Sequence, residues 1–424
     1  MTIDKQPSCA DDSEPQLLPV DAAMARIANL VRPLATTETV SIADCLGRVL
    51  AQAVQSPIAV PSHTNSAMDG YAVRADDRDQ AASTGLRVVG SAFAGRPWSG
   101  ELQAGEAVRI FTGAVVPPGA DTVIIQEHTE LDVDTVRFAS DFTPGQNIRH
   151  AGEDVAAGDR VFVGGEQMSP AHMCMLASLG INEVSVTRKP RVAFFSTGDE
   201  LRAVSDPSSS PLNAGEVYDS NRYALLGALA RMAVDTIDMG LVPDDPVAIR
   251  DTLERAGETA DVVITSGGVS VGEADYVSKT LHDIGNVAFW KIAMRPGRPL
   301  ACGKVGDAVF FGLPGNPVAV LVTFYEFVQP AVRRLMGCRD DGQPFRFRVP
   351  CTSALRKSSG RTEYQRGILY HDDDGQLAVK TTGKQGAGRL SSLCLANCII
   401  VIPPNADAIT PGSLVEVQPF TGLV

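Results

Sequence analysis

The middle of the chain, residues 190–334, alternates short apolar runs with longer segments of helical periodicity. The apolar runs lie at 191–195, 234–240, 261–265 and 309–311, and each has the length and β-branched content of a buried strand. Segments predicted to be helices lie near 221–231, 246–258, 275–284 and 317–336. Because such alternation is typical of a parallel sheet covered by helices, we predict an α/β domain with a parallel sheet here.

Other patterns predominate on either side of this region. Helical periodicity at 20–34, and a helix started by Ser-Pro at 169–179, predict a packing scaffold. Between them, residues 71–149 alternate predicted strands with turns rich in glycine and proline, which indicates a β-rich domain. From about residue 339 onward, short alternating strands suggest a small barrel or sandwich.

The loops after the central strands hold most of the candidate chemistry, because ligands of parallel sheets bind beyond the carboxyl ends of the strands. These loops, 196–200, 243–246, 266–270 and 312–317, combine hydroxyls, glycines and carboxylates. The loop at 266–270 reads SGGVS, and its glycines allow close approach of the backbone while free N–H groups can hold phosphate. It lacks the spacings of a P-loop or a dinucleotide fold. An ordinary strand-to-helix turn explains this stretch alone equally well.

Three acids, Asp199, Asp244 and Asp275, accompany these loops. Carboxylates repel phosphate unless a cation lies between them, and Mg²⁺ is typically held by one or two carboxylates together with phosphate oxygens. A magnesium-bridged phosphate site is therefore one interpretation. The other is that each acid occupies a helix N-terminus, where the helix dipole favours it.

A turn stiffened by proline and glycine, at 291–299, carries Lys291, Arg295 and Arg298. Solvated surface charge is the usual explanation of such a cluster, but its place between the phosphate-competent loops favours binding of an oxyanion. A second basic loop, at 383–390, could also reach an anionic ligand. In the loop at 312–317, Asn316 is suited to cap the next helix and Pro317 to be its first residue.

Composition changes this picture mainly by excluding partners. The formal charge of −13 over 424 residues argues against nucleic acid or an anionic membrane, although local basic groups can still bind a small anion. The eight cysteines lack zinc-site spacing, and neither a secretion signal nor an apolar run of membrane-spanning length is recognisable. We therefore expect a cytoplasmic protein with reduced thiols.

Five motifs together resemble the molybdopterin molybdenumtransferase family, and the resemblance extends over nearly the whole chain. They are NSAMDGYA at 65–72, TGA at 112–114, STGDEL at 196–201, TSGGVSVGEADY at 265–276 and GLPGNP at 312–317. Each motif alone is weak, but the combination is specific.

The resemblance implies a multidomain α/β fold. Its four domains would be an elongated α+β scaffold (16–56 and 150–187), a β-rich inserted domain (57–149), an α/β molybdopterin-binding domain (188–338) and a C-terminal β-barrel (339–424). It further implies an enzyme that cleaves adenylylated molybdopterin, inserts molybdate at the dithiolene sulfurs and releases AMP, with Mg²⁺ required. A homodimer with an active site drawn from both chains is implied as well, and molybdopterin adenylyltransferase and molybdoenzyme-maturation proteins are expected as further partners.

The resemblance also implies roles for individual residues. We expect catalytic roles for Asp69, Thr112, Asp154, Glu200 and Asp275, and magnesium binding by Glu200, Asp244 and Asp275. The predicted substrate contacts are Ser196, Thr197, Gly198, Ser266, Gly267, Gly268, Ser270, Lys291, Arg295, Arg298, Pro314, Gly315, Asn316 and Pro317, with the basic side chains holding molybdate. Whether Asp244 or Asp245 carries the role stays open. Ala319 stands where the family commonly has serine, and Arg295 and Arg298 stand where lysine is common.

Two other classes of function remain open from the sequence. A molybdopterin adenylyltransferase would share the α/β domain, but it would not need residues 1–189 or the terminal strands. A non-catalytic scaffold could keep the fold, although the retained acids and glycines argue against it.

Overall fold

The computed structural model describes residues 17–204, 212–268, 276–340, 344–358 and 360–420. These residues fall into two units. The first unit comprises the residues up to Glu38, Gly47–Ala51 and the residues from Val186 onward, and the second comprises Thr39–Leu46 and Gln52–Ser185. No helix in the described ranges is both long and apolar enough to cross a membrane.

The helices differ widely in length. They are α1 (Val20–Leu30), α2 (Arg78–Ser83), α3 (Pro170–Ser178), α4 (Ser220–Ala230), α5 (Pro246–Thr259), α6 (Tyr276–Ile284), α7 (Pro317–Thr323), α8 (Gln329–Leu335) and α9 (Leu390–Leu395).

The strands are mostly short. They are β1 (Thr37–Ser41), β2 (Val54–Gln55), β3 (Asn65–Ser66), β4 (Gly70–Val73), β5 (Leu86–Ala92), β6 (Glu106–Ile110), β7 (Thr122–Ile125), β8 (Glu130–Asp132), β9 (Thr135–Arg137), β10 (Ile148–Arg149), β11 (Arg160–Phe162), β12 (Glu183–Thr187), β13 (Arg191–Thr197), β14 (Leu201–Arg202), β15 (Val217–Tyr218), β16 (Asp235–Val242), β17 (Val262–Ser266), β18 (Gly285–Lys291), β19 (Met294–Arg295), β20 (Pro299–Val305), β21 (Ala308–Leu313), β22 (Phe347–Pro350), β23 (Thr362–His371), β24 (Leu377–Thr381), β25 (Cys398–Ile402) and β26 (Leu414–Pro419).

The central sheet of the first unit has the order β16-β13-β17-β21-β20-β18. The four strands predicted from the sequence pair in parallel, but β20 and β18 run antiparallel to their neighbours. The prediction of a parallel sheet is therefore wrong in part, since the sheet is mixed. A two-residue turn, Gly306-Asp307, joins β20 to β21 and reverses the chain, and Gly306 takes the positive φ (+58°) that tight hairpin turns require.

Both faces of this sheet are covered, which explains why β13, β17 and β21 read as continuous apolar runs. Neighbouring residues of a strand point to opposite faces. Phe194 accordingly packs in one core cluster with side chains of α4 and α7, and Phe195 packs in another with side chains of α5 and α6.

The helix predicted at 317–336 is confirmed as one helical segment, but it changes helix type partway along. α7 ends at Thr323, a π-helical turn spans Phe324–Val328, and α8 resumes at Gln329. Pro330 lies at the start of α8 and has no N–H with which to continue the preceding ladder of hydrogen bonds. The local change of helix type follows from that missing donor.

The C-terminal strands form a separate sheet in the order β19-β23-β25-β26-β22, with β24 also paired to β23. Directly after β22, Cys351 forms a bridge with Val379 of β24, and Thr352 N–H donates to the Val379 carbonyl at 2.8 Å. Strand β19 lies on the basic turn at 291–299 and pairs with Thr362–Glu363 of β23, so that turn is attached to the C-terminal sheet. The β-barrel and the division into four domains stay predictions.

The second unit contains the strands that the sequence predicts between residues 71 and 149. They form a six-stranded sheet in the order β7-β4-β6-β5-β9-β8. Small antiparallel pairs, β3 with β10 and β2 with β11, lie in the same unit.

Candidate functional site

The register of the parallel strands brings several of the predicted loops to one edge of the central sheet. Ser196 at the end of β13 pairs with Ser266 of β17, and Ser266 pairs with Leu313 of β21. Thr197 pairs with Val242, the last residue of β16. The loops that follow these four strands therefore begin side by side, at the carboxyl edge where ligands of such sheets bind.

Hydroxyl groups line the base of this edge. Ser196 Oγ and Ser266 Oγ lie 2.9 Å apart, and both side chains are buried. The hydroxyl of Thr197, also buried, donates a hydrogen bond to Asp244 Oδ1. The predicted substrate contacts Ser196, Thr197 and Ser266 thus lie next to the predicted metal ligand Asp244.

The structure distinguishes the environments of Asp244 and Asp245, the two adjacent acids between which the sequence does not decide. Asp245 is the N-cap of α5, where its Oδ1 accepts hydrogen bonds from Val247 N–H (3.1 Å) and Ala248 N–H (2.9 Å). Asp244 is partly exposed and faces Thr197 instead. Asp245 therefore has a structural role of its own, and Asp244 is the acid placed toward the strand ends.

The glycine-rich loop begins with two residues in positive-φ conformations, Gly267 (+91°) and Gly268 (+66°). A Cβ on Gly267 would lie 2.7 Å from the carbonyl oxygen of Thr197, so only glycine allows this approach. The N–H of Gly267 donates to the Leu313 carbonyl at 3.1 Å, which ties this loop to the end of β21. The predicted site residues Ser270 and Asp275 lie outside the described residues.

Glu200 folds back toward the end of β13. Gly198 has a φ of +150°, and a Cβ on it would lie 2.6 Å from Glu200 Oε2. The Glu200 carboxylate is exposed, whereas its carbonyl accepts a hydrogen bond from Val217 N–H at 2.8 Å. Within the described ranges, no group of three or more His, Cys, Asp and Glu side chains has an arrangement that could hold a metal ion.

The loop at 312–317 connects β21 to α7. Pro317 is the first residue of α7 as predicted, but Asn316 at the N-cap position makes no capping hydrogen bond through its side chain. Pro314 is buried, and the carbonyl of Gly315 accepts a hydrogen bond from Asn221 Nδ2 at 2.8 Å. The N-terminal turn of α4, which holds Asn221, therefore belongs to this edge, although sequence reasoning missed it.

The three basic residues predicted to hold molybdate have different environments. Lys291 ends β18, Arg298 is buried, and Arg295 is exposed. Arg295 lines a cavity of about 590 Å³ next to the C-terminal sheet. Three further basic residues line the same cavity: Arg356, Arg366 and Lys384.

Arg366 is the residue of this cavity that sequence reasoning missed. It is almost fully buried, its Nε donates to Ser392 Oγ at 3.0 Å, and its Nη2 donates to the Gly386 carbonyl at 3.1 Å. Burial lowers the pKa of its guanidinium to about 10. A charged residue in the middle of an otherwise buried strand, β23, was the signal that could have identified it.

Two of the predicted catalytic residues lie together in the second unit. Asp69 Oδ1 accepts hydrogen bonds from both the N–H and the hydroxyl of Thr112, each at 2.8 Å. These two bonds lower the pKa of Asp69, and the charge of Arg109 lowers it further. Gln126 N–H donates to the Asp69 carbonyl at 3.0 Å, and Gln126 Nε2 donates to Glu127 Oε1 at 3.1 Å.

Asp154 lies apart from this pair in the hydrogen-bond pattern. Its side chain is exposed, and its N–H donates to the Val60 carbonyl at 3.1 Å. No hydrogen bond between Asp154 and Asp69 or Thr112 occurs in the part of the chain that the structure describes. The described hydrogen bonds therefore connect Asp154 to the segment around Val60 and not to the Asp69–Thr112 pair.

Three family models match the chain in succession. Residues 18–180 match the model described as MoeA N-terminal region (domain I and II). Residues 193–334 match the probable molybdopterin binding domain, and residues 348–420 match the MoeA C-terminal region (domain IV).

Two relatives that are similar over nearly their full length carry the same name. The molybdopterin molybdenumtransferase of Haemophilus influenzae is 42% identical over 96% of this chain and 100% of its own length. That of a Nostoc species is 38% identical over 91% of this chain and 90% of its own. The crystal structure of the molybdopterin biosynthesis moeA protein from Pyrococcus horikoshii is 30% identical, with a TM-score of 0.82 over 96% of this chain and 100% of that one. The chain therefore belongs to the molybdopterin molybdenumtransferase (MoeA) family.

Proposed function

We propose that this protein inserts molybdate into adenylylated molybdopterin, with release of AMP and formation of molybdenum cofactor. The observation that carries the proposal is the carboxyl edge of the central sheet, where Thr197, Asp244 and the Gly267 loop lie side by side. This edge lies within the region that matches a molybdopterin binding domain. Its hydroxyls and glycines suit a phosphate-bearing substrate, and its acids suit a divalent cation.

Magnesium fits the donors present at this edge. Mg²⁺ needs only one or two carboxylates when phosphate oxygens supply other ligands. Asp244 uses one carboxylate oxygen to accept from Thr197, and the Glu200 carboxylate is exposed beside Gly198. Glu200 and Asp244, with Asp275, would hold the ion, which would polarise the phosphoanhydride when bound.

The protein's own groups at this edge would position the adenylyl phosphate. Gly267 N–H is already engaged by Leu313, so it contributes loop geometry rather than a free donor. The predicted phosphate contacts therefore fall to Gly268 and Ser270 and to the hydroxyls of Ser196 and Ser266. The Ser196–Ser266 hydrogen bond holds both hydroxyls in place.

Molybdate would be held by basic residues on the turn at 291–299. Arg295 is the basic residue of this turn that lines the cavity beside the C-terminal sheet, and Arg366 and Lys384 line the same cavity. Molybdate resembles phosphate in charge and shape, and a guanidinium can bind two of its oxygens at once. Lys291 and Arg298 would contribute charge on either side of Arg295.

The other catalytic residues, the oligomeric state and the partners are proposed from membership of the family. Asp69, Thr112 and Asp154 would act in catalysis, and the active form would be a cytoplasmic homodimer with sites built from both chains. Molybdopterin adenylyltransferase would supply the substrate, and molybdoenzyme-maturation proteins would receive the product. Neither nucleic acid nor a membrane is expected as a partner.

The adjacent acids allow a direct test of this function. Asp244→Asn removes a carboxylate at the strand ends, and we expect molybdate-dependent release of AMP to fall at least about tenfold. Asp245→Asn is the matched control, because asparagine caps helices as well as aspartate does, and its activity should stay near that of the unmodified protein. The assay measures AMP released from adenylylated molybdopterin with and without molybdate.

Two outcomes would contradict the proposal. AMP release that does not depend on molybdate, together with synthesis of adenylylated molybdopterin from ATP, would indicate an adenylyltransferase. Tight binding of the substrate without any turnover by the unmodified protein would indicate a scaffold.

A further inference from the structure

Two buried side chains at the start of α4 each keep one oxygen that the fold does not use. Asp219 and Asn221 expose only 1% and 6% of their surface. Asp219 Oδ1 caps α4 by accepting from Arg222 N–H at 3.1 Å, and Asn221 Nδ2 donates to the Gly315 carbonyl at 2.8 Å. Asp219 Oδ2 and Asn221 Oδ1 are both buried, and neither has a hydrogen-bond partner among the residues that the structure describes.

Helix capping does not account for this arrangement. A cap needs one acceptor oxygen, which serine or threonine would supply without a second buried oxygen. A buried acceptor without a donor is unfavourable, and folded proteins contain few of them. Two such oxygens, two residues apart, mark a place where a ligand or an ordered water would provide the donors.

The position of the pair points to the substrate. Asn221 is tied to Gly315 in the loop at 312–317, which follows β21 at the carboxyl edge of the central sheet. The pair therefore lies at the edge proposed to bind adenylylated molybdopterin. The inference below rests on that proposed function.

The chemistry of the pair indicates what kind of donor it would accept. Because Asn221 Nδ2 faces a carbonyl, the other terminal atom of the side chain has to be the oxygen acceptor. A metal cation is disfavoured at this place, because the N-terminus of α4 carries the positive end of the helix dipole. The pair thus presents two acceptors to a neutral group with two N–H donors.

We propose that Asp219 and Asn221 recognise the pterin ring of the substrate by accepting its exocyclic amino and ring N–H hydrogen bonds. An aminopyrimidinone edge places these two donors side by side. Adenine, the other ring of the substrate, pairs its amino donor with a neighbouring acceptor nitrogen on either edge. Two protein acceptors therefore match the pterin and not the adenine.

The test uses two fragments of the substrate and one substitution. Asp219→Asn keeps the helix cap and the volume of the side chain but replaces the second acceptor by an amide that can donate. Isothermal titration would measure binding of molybdopterin, which has the pterin ring but no adenine, and of AMP, which has adenine but no pterin. We expect molybdopterin affinity to fall roughly 10- to 100-fold, as when a buried hydrogen-bond partner is lost, while AMP affinity stays unchanged.

Two further variants keep the test decisive. Asp219→Ser also retains a cap and removes the second oxygen, so it should reproduce the selective loss if Asp219→Asn folds poorly. Asp245→Asn makes the same substitution at the N-cap of α5, whose residue is exposed, and it should alter neither affinity. Melting temperatures of all variants would be recorded beside the titrations.

The alternatives predict different results. Loss of AMP affinity alone would assign the pair to adenine and overturn the inference. Equal loss of both affinities with a lowered melting temperature, or recovery of molybdopterin affinity by added Mg²⁺, would overturn it in favour of a structural or a cation-binding role. Failure of the unmodified protein to release AMP would count against the proposed function but leave the selective loss of molybdopterin binding as a separate result.

Discussion

Gly267 shows how a single residue can determine the shape of the strand-end loop. Its φ of +91° is a conformation that residues with a side chain rarely adopt. The space around it is also closed, because an added Cβ would meet the Thr197 carbonyl oxygen at 2.7 Å. A side chain there would push the loop away from β13.

We therefore expect Gly267→Ala to destabilise the protein by about 1–3 kcal/mol through backbone strain and to weaken substrate binding. Denaturant unfolding would measure the first effect, and the KM for adenylylated molybdopterin the second. Gly227→Ala in α4 is a suitable control, because its Cβ would have open space and alanine favours a helix. It should stabilise the protein by roughly 0.5–1 kcal/mol, and an unchanged KM for Gly267→Ala would contradict the role of this loop.

At the scale of elements, Asp261 joins the amino ends of two central strands. It precedes β17 and accepts hydrogen bonds from Arg188 Nη1, Arg188 Nη2 and the N–H of Arg191 on β13, each at 2.7 Å. Burial alone would raise the pKa of Asp261, but the bonds from Arg188 and Arg191 outweigh it and lower the pKa. The carboxylate is therefore more favoured in the folded state than in the unfolded chain.

This shift gives Asp261 a stabilising effect with a definite pH dependence. A lowered pKa in the folded state means that the stabilisation is present above the ordinary aspartate value of about 3.9 and is lost as the pH falls through the folded-state pKa. At pH 7, Asp261→Asn should lower the free energy of unfolding by about 1.5–3 kcal/mol, as for hydrogen bonds to a charged group. The difference from the unmodified protein should shrink below about pH 4 in denaturant unfolding.

An exposed ion pair at the start of the neighbouring strand, β16, provides the comparison for Asp261. Asp235, the first residue of β16, lies 4.0 Å from Lys189 with 60% of its side chain exposed. Asp235→Asn should change the free energy of unfolding by no more than about 0.5 kcal/mol, because solvent screens exposed ion pairs. Equal changes in the free energy of unfolding for the two substitutions would show that the hydrogen bonds of Asp261 to Arg188 and Arg191 stabilise the protein no more than an exposed ion pair does.

At the scale of the whole molecule, the net charge is −13, but positive charge is concentrated in one cavity. Four basic residues, Arg295, Arg356, Arg366 and Lys384, line this cavity of about 590 Å³ together with a single acid, Glu363. Salt screens distant acids beyond about 10 Å at 0.1 M, so the local field of these residues can attract an oxyanion into an acidic protein.

The proposed homodimer, with each site built from two chains, makes a prediction about mixtures of impaired variants. If Asp69 and Asp244 of different chains serve the same site, a homodimer mixed from Asp69→Asn and Asp244→Asn chains contains hybrids with one intact site. With random exchange, half of the dimers are hybrids, so about a quarter of the unmodified activity should return. The measurement is AMP release after the two variants are unfolded and refolded together.

The control for this mixture pairs two substitutions expected on the same side of the site. Asp244→Asn mixed with Glu200→Gln should recover nothing, because Glu200 and Asp244 belong to one chain's strand-end loops. Absence of recovery in the first mixture, with dimers present by light scattering, would show that each chain builds its site alone.

The sequence was sufficient for several levels of this organisation. Length and periodicity of the apolar runs predicted the four parallel strands and their helices, because a strand buried on both faces has few alternatives to a continuous apolar run. The order of glycine, serine and acid after each strand located the candidate edge. Five motifs together were enough for the family, as the full-length similarity confirms.

The direction of a strand in the central sheet was decided by residues outside the strand itself. The apolar pattern of β20 is compatible with either direction, and the deciding signal for this strand was the two-residue turn Gly306-Asp307. That signal was available in the sequence but is short. The π-helical turn between α7 and α8 similarly depended on one proline.

Only the tertiary structure could distinguish the environments of individual groups. Asp244 and Asp245 are chemically identical neighbours, and the difference arises because one faces Thr197 while the other caps α5. The burial of Arg366, and of the second oxygens of Asp219 and Asn221, depends on contacts between segments far apart in the chain. Periodicity along a sequence records which residues are inside a fold, whereas hydrogen-bond partners depend on distances between elements, and those exist only after the chain has packed.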